Sequence, residues 1–366
     1  MTPGINIFYG PEIWSLQLVG GISRYFSELI PRISAHNKVY AFATPNQNVF
    51  IEKIPKDSMI DISKFTSSHL LNFQKLTNSY SNSTSIYHST YYGNVNYSHL
   101  KRNGFKIITT VYDLISEKFP NEKRSMIPRV NLKKKAITQA DHIICISNST
   151  KSDLENIYKV NSEKISVVHL GVNSNSSSRK DGFSEITKEK FLLFVGKRSG
   201  YKNFITLLTA FGESEFLNKN FKLVLFGGEN FSNEEIKLVE KYNLSERIYL
   251  LNSSNDETLE DLYLNATALV YPSLYEGFGL PIIEAMSFGC PVFAGTTSSM
   301  PEIGGDAVLY FNTTDMEDVK HVLENTLANE SLLASKSLLG YSRAAQFSWE
   351  KTAIQTLNVY NNVLDN

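Results

Sequence analysis

The sequence predicts an α/β protein of two doubly wound, Rossmann-like parallel-sheet domains facing a cleft. Three features carry this: a length of 366 residues, a strand–helix alternation that runs twice, and a polar, serine-rich break between the two runs. Single cores usually stop growing near roughly 250–300 residues, so the length calls for two of them. The repeated βαβα pattern means parallel strands with helices on both faces.

The first run opens with INIFYG as a strand, followed by the glycine loop of VGGISRYFSELI. Ile22, Phe26, Leu29, Ile30 and Ile33 then line one helical face. YAFAT, SIYHST, FKIITTVYD, HIICIS and ISVVHL are short apolar runs of parallel-strand character. The helical stretches RVNLKKKAITQA and STKSDLENIY separate several of them. Residues 42–80 resist assignment. At 173 the chain turns to NSNSSSRKDG, which has no apolar period and reads as a linker. The pattern restarts with FLLFVG, a helix from about Asn203, FKLVLFGG, a helix near Asn233 to Tyr242, RIYLL, DETLEDLYLNA, ALVYPS and PVFAG. WEKTAIQTLNVYNNVL closes the chain as a helix with apolar residues at Ile354, Leu357, Val359, Tyr360 and Leu364. The expected division is 1–172, a linker over 173–189, and 190–347, followed by the helix at about 348–366.

Composition narrows the function classes. A hydrophobic content of 42% and a charged fraction of 20% describe an ordinary soluble globular protein. A net charge of −1 argues against a nucleic-acid partner held by bulk charge. Cys145 and Cys290 lie in apolar contexts, one in each half, which fits a reducing compartment better than a disulfide framework. MTPGINIFYG lacks the basic start and apolar core of a secretory signal, and no run reaches 18 apolar residues. The expectation is a cytoplasmic protein.

The richest stretch is PSLYEGFGLPIIEAM, residues 272–286. Pro281 suits the first helical position, and Gly277 and Gly279 allow backbone angles that side chains forbid. The amides of Phe278, Gly279 and Leu280, with the helix dipole behind them, favour a phosphate. Glu276 and Glu284 flank that mouth. Alone, Glu284 reads as first-turn dipole compensation and Glu276 as a solvated loop carboxylate. Beside two glycines and a proline they read as acceptors for vicinal hydroxyls, one pair on a ribose and one on a sugar. Cations belong opposite, and FVGKRSGYKN supplies Lys197, Arg198 and Lys202 after the first strand of the second domain. Arg suits a bidentate phosphate grip, whereas Lys acts as a point charge. Gly196 and Gly200 make neither a dinucleotide fingerprint nor a P-loop.

These residues, with VGGISRYFSELI, ISNSTKSDLENIY, KISVVHLGV and FSWEKTAIQTLNVY, resemble glycosyltransferase family 4, the group 1 transferases of GT-B architecture. The E-x7-E spacing around G-F-G-L-P is the most specific part, and the likeness runs over nearly the whole chain. It implies that the final helix crosses back onto the first domain. It implies that Glu284 binds the ribose of a nucleotide diphosphate sugar and that Glu276, the catalytic candidate, touches the transferred sugar. Arg198 and Lys202 neutralise the diphosphate, and Gly20 and Gly21 admit donor phosphate or acceptor to the first domain's backbone. His88 ends a strand, where a cleft role and a structural role both stay open. Many relatives carry a histidine at the sugar where this chain has Tyr112; tyrosine keeps a hydrogen-bonding tip without protonation near neutral pH. Asp113 either orients a hydroxyl or caps the next turn. Base contacts fall to backbone around Leu251 to Ser254.

The expected chemistry is retaining and metal-independent, with no cofactor beyond the nucleotide sugar. No D-x-D motif occurs, and Arg198, Lys202 and a helix start are available to stabilise the leaving diphosphate. The resemblance points to hexose transfer in surface-polysaccharide (O-antigen or capsule) assembly, first mannose from GDP-mannose, then a UDP-sugar, onto a glycan or lipid-linked oligosaccharide. From Lys118 to Lys135 seven residues are basic and only Glu122 is acidic. A solvated helix face and a peripheral contact with anionic lipid on the cytoplasmic face of the inner membrane are the two readings. A nucleotide-sugar epimerase and a non-catalytic two-lobed binding protein are the competing classes.

Overall fold

The computed structural model describes residues 5–43, 48–61, 78, 85–120, 127–173, 189–198, 200–252 and 255–365. The stretch expected as a linker falls almost wholly outside them, as does most of 42–80. By internal contacts the chain divides into unit 1, Met1–Gly171 with Trp349–Asn366, and unit 2, Val172–Ser348.

Unit 1 is built on seven parallel strands: β1 (Asn6–Tyr9), β2 (Lys38–Ala43), β3 (Met59–Asp61), β4 (Ser85–Ser89), β5 (Lys106–Val111), β6 (His142–Cys145) and β7 (Ile165–Val167). Their order is β3-β2-β1-β4-β5-β6-β7. Ile7 pairs with Val39 on one side and Ile86 on the other. The chain order therefore reverses between β1 and β4, where loops diverge and leave a crevice. Helix α1 (Glu12–Leu16) and helix α2 (Gly21–Ser34) follow β1. Helix α3 (Tyr97–Arg102) follows β4, α4 (Ile115–Lys118) and α5 (Ile127–Gln139) follow β5, and α6 (Asn148–Tyr158) follows β6. Ser147 caps α6, its side chain accepting from the Thr150 N–H.

Unit 2 repeats the plan with six parallel strands: β8 (Phe191–Val195), β9 (Lys222–Phe226), β10 (Ile248–Leu251), β11 (Ala268–Tyr271), β12 (Val292–Gly295) and β13 (Val308–Phe311). Their order is β10-β9-β8-β11-β12-β13, which puts the reversal between β8 and β11. Phe191–Val195 is buried along its whole length, as a parallel strand covered on both faces must be. Leu192, Phe194, Leu207, Phe211, Leu223 and Leu225 anchor one core cluster. Each such side chain contributes about 1.5–3 kcal/mol on burial. β3 and β13 are additions to the sequence reading.

The last helix, α7 (Trp349–Asp365), belongs to unit 1 and packs on α2. Its buried face differs from the expected one. Ile354 is 60% exposed, while Trp349, Thr352, Ala353, Thr356, Val359, Tyr360 and Val363 point inward. The two threonines satisfy their hydroxyls on backbone: Thr352 donates to the His169 carbonyl and Thr356 to that of Thr352. Arg32 of α2 reaches Glu350 at 2.8 Å. No helix among the described residues is long and apolar enough to cross a membrane.

Candidate active site

In unit 2 the loops leaving the C-terminal strand ends bring the expected residues together. After β11 the chain runs through Pro272–Gly279 into helix α8 (Leu280–Ser287). The helix begins one residue earlier than expected, so Pro281 is its second residue. Gly279 takes the left-handed conformation at φ +93°, whereas Gly277 does not take it. One glycine, not two, thus supplies the special backbone. Among the described residues the N–H groups of Gly279 and Leu280 donate to no protein acceptor. They are ready anion donors at the positive end of the helix dipole. Phe278 buries its ring against Phe347, with centroids 5.9 Å apart, so it can serve a ligand only through backbone.

Glu276 is 7% exposed and its Oε1 lies 2.7 Å from Lys202 Nζ. Lys202, in a single turn after β8, also donates to the Tyr271 hydroxyl at 2.8 Å. The phenol of Tyr271 is held well above its ordinary range, first by burial and then by the charge on Glu276. Lys202 is therefore the partner that offsets the buried charge of Glu276. The loop after β12 holds Glu276 by its backbone: its N–H donates to Ser298 Oγ at 2.8 Å, and Ser299 Oγ donates to its carbonyl at 2.9 Å. Ser298 adopts φ +54°, a conformation that costs a non-glycine residue about 1–3 kcal/mol.

Glu284 is the fifth residue of α8, at the start of the second turn, where compensation of the helix dipole is weak. It is half-buried, and the Tyr263 hydroxyl donates to its Oε2 at 3.2 Å.

Arg198 departs from the expected bidentate grip. Its Nε donates to Glu235 Oε1 at 2.8 Å and its Nη2 donates to the Glu229 carbonyl. Glu235 accepts in turn from the Ser232 N–H and so closes the cap of helix α9 (Asn233–Lys241). Only Nη1 remains, buried and without a partner among the described residues. It faces Gly228, at φ +88°, where an added Cβ would lie 3.1 Å away.

The unit 1 candidates fare differently. His88 is fully buried: Nδ1 meets the Tyr360 hydroxyl at 2.6 Å and Nε2 meets Thr110 Oγ1 at 2.7 Å. Burial pushes its pKa down to about 3, so it is a neutral structural histidine under α7. The Tyr112 hydroxyl donates to the Thr90 carbonyl at 2.9 Å within the core, which removes the sugar-contact role suggested for it. Asp113 takes the capping alternative, accepting from the Ile115 N–H at 3.1 Å. Gly20 is extended, at φ 169°, and the space it leaves is filled by Gln17, which accepts from the Ser23 N–H at the start of α2. Gly21 is the exposed first residue of that helix.

In the 118–135 segment, Lys118 pairs with Asp153 at 2.6 Å and buried Lys133 with Glu117 at 2.8 Å. Sequence reasoning missed Tyr271, Ser298 and Glu235. The serine–threonine cluster TTSS directly after strand PVFAG was the available signal for the second of these.

Two doubly wound parallel-sheet units, the second with a cation–carboxylate pair beside a glycine-started helix, define a two-sheet α/β protein. Residues 19–176 match the family model for Glycosyltransferase Family 4, and residues 177–339 match that for Glycosyl transferases group 1. The chain belongs to this glycosyltransferase family. It is 30% identical over 234 residues to O-antigen chain mannosyltransferase B of Escherichia coli, covering 62% of this chain and 61% of that protein. It is 27% identical over 217 residues to O-antigen chain mannosyltransferase RfbU of Salmonella typhimurium, covering 59% of each. The matches thus span about three fifths of these curated relatives. Among solved structures, sucrose-phosphate synthase from Thermosynechococcus elongatus superposes with a TM-score of 0.76 at 20% identity, over 99% of this chain and 100% of that one. That likeness establishes the GT-B fold.

Proposed function

We propose that the protein transfers a hexose, with retention of configuration, from a nucleoside diphosphate sugar to a hydroxyl of a glycan or lipid-linked glycan in surface-polysaccharide assembly. Mannose from GDP-mannose is the first donor to test, because both curated relatives named above are O-antigen mannosyltransferases. The observation that carries the reading is the Lys202–Glu276 pair set beside the unbonded amides of Gly279 and Leu280. Carboxylate, cation and helix start together suit a ligand that is both polyhydroxylated and anionic.

In this reading Glu276 accepts from hydroxyls of the transferred sugar, and Glu284 accepts from those of the ribose. The amides, Lys202 and Arg198 Nη1 meet the diphosphate. As the anomeric C–O bond breaks, negative charge grows on the departing phosphate oxygen, and preorganised cations stabilise it without solvent reorganisation. The acceptor hydroxyl attacks on the same face and passes its proton to that oxygen. The reading calls for no metal, since these residues supply the positive charge.

Transfer to a lipid-linked acceptor would place the protein at the cytoplasmic face of the inner membrane. Lys118 and Lys133 are already paired, so contact with anionic lipid falls to the other basic residues of 118–135. Salt-sensitive flotation with anionic liposomes is the expected result. The reaction itself is tested with a panel of nucleotide sugars, scored by thermal shift and by nucleoside diphosphate release. GDP-mannose should stabilise the protein and release GDP only with acceptor present. Release from a UDP-sugar instead would replace the donor, and conversion of the sugar without acceptor would favour an epimerase.

A further inference from the structure

Unit 1 carries a cavity of about 320 Å³ that none of the residues discussed above lines apart from basic Lys135. Its size falls in the range of small-molecule sites. One wall is the segment Asn94–Ser98, leaving β4 and entering α3; the other is α5, from which Lys135 and Gln139 project one turn apart on the same face. The lining holds amides, a hydroxyl, an ammonium, the Val95 side chain and the Tyr97 ring, with no carboxylate.

These groups are available. Among the described residues the side chains of Asn94, Ser98 and Gln139 hydrogen-bond to no protein group, and Asn96 uses only Oδ1, accepting from the His99 N–H. Lys135 Nζ sits 5.9 Å from the Tyr97 ring centroid and has no carboxylate partner among the described residues. An apolar ligand would strip water from all these groups without replacing it, which is unfavourable. A planar base would need an open aromatic face, and Lys135 covers the ring present. Vicinal hydroxyls both donate and accept, as side-chain amides do, and match this lining group for group.

We infer that this cavity is a second carbohydrate subsite, holding a saccharide unit of the acceptor chain other than the one that reacts. The lining holds no carboxylate, imidazole or thiol, so its contribution is grip. Its assignment to the acceptor rests on the transfer proposed above; its affinity for saccharide does not.

The experiment compares the full-length protein with its Asn94→Ala/Gln139→Ala variant, and with Lys135→Glu as a second probe of the same cavity. Mannotetraose binding is followed by calorimetry and saturation-transfer NMR, with GDP binding as the control for folding. The double variant should lose about tenfold in mannotetraose affinity and keep its GDP affinity. In turnover, KM for a mannotetraosyl acceptor should rise similarly while KM for a monosaccharyl acceptor stays put. Equal mannotetraose binding by wild type and both variants, or none by wild type, overturns the inference. Loss of mannotetraose binding in a protein that turns over no nucleotide sugar would keep the subsite and remove the transferase reading.

Discussion

Lys202 Nζ and Glu276 Oε1 lie 2.7 Å apart in unit 2, and each is needed to make the other tolerable where it sits. The lysine side chain is 15% exposed and the glutamate 9%, so either charge alone would be poorly solvated. The same lysine touches Tyr271, whose buried hydroxyl faces Glu276.

Separating stability from activity at this pair gives the first prediction. Lys202→Met or Glu276→Gln alone should destabilise unit 2 by about 2 kcal/mol, between the values for exposed and fully buried pairs. The double variant should be more stable than the sum of the two losses predicts, yet slower in transfer by about a hundredfold or more. A double-mutant cycle in chemical denaturation, beside steady-state rates, reads both. Additive stability losses would show that the two side chains are not coupled.

Glu284 accepts from the Tyr263 hydroxyl at 3.2 Å. Glu284→Ala should weaken nucleoside diphosphate binding about tenfold, the loss of a charge-assisted hydrogen bond. Tyr263→Phe, which removes a hydroxyl that donates to the carboxylate, should weaken it less. Calorimetry with GDP tests both; unchanged affinity in the alanine variant rules out the ribose role.

The fold was legible because parallel strands buried on both faces leave continuous apolar runs, as FLLFVG and HIICIS do. The last helix shows the limit. Its apolar spacing pointed to Ile354, but the inward face uses Thr352 and Thr356, whose hydroxyls find backbone carbonyls that no helical period reveals. The Glu276 loop was legible for a local reason: Gly279, Leu280 and Pro281 encode a helix start in consecutive residues. The ion pair of Arg198 was not legible, because its partner, Glu235, is 37 residues away and doubles as a helix cap. His88 and Tyr112 stand at strand ends, where ligand contacts and interior contacts look alike until the covering helix is in place.

His88 gives a pH dependence with a definite sign. Its pKa is lowered from 6.5 to about 3 by burial, and the groups around it (Tyr9, Phe26, Thr110 and Tyr360) carry no charge. Between those values the unfolded chain binds a proton that the folded one refuses, so stability falls as pH drops, by at most ~1.4 kcal/mol per pH unit. Both tryptophans, Trp14 and Trp349, lie in unit 1, so their fluorescence follows that unit alone. His88→Gln should lower stability at pH 7, yet flatten the acid limb by about one proton. An acid limb as steep as that of the wild type would mean another group carries it.

Glu12 supplies the opposing slope in the same unit. Its Oε2 lies 2.9 Å from Thr90 Oγ1, which is also 2.8 Å from the Gly10 carbonyl and accepts from the Ile13 N–H at 3.2 Å. Thr90 has one proton and two acceptors before it. With that proton on Gly10, the second contact is favourable when Glu12 is itself protonated and donates to Thr90, while Tyr87 donates to its other oxygen at 3.1 Å. Desolvation raises the Glu12 pKa in accord with this arrangement. The folded state therefore keeps a proton that the unfolded chain gives up above 4.5, and this contribution to stability is lost as pH rises through the raised value. Glu12→Gln preserves one donor and one acceptor without titrating. Its stability relative to wild type, read by tryptophan fluorescence, should improve as pH rises above 4.5 and level off beyond the raised value, because only the wild type faces ionisation of a desolvated acid. Parallel curves across that range would place an ionised carboxylate beside Thr90 and remove the shared proton.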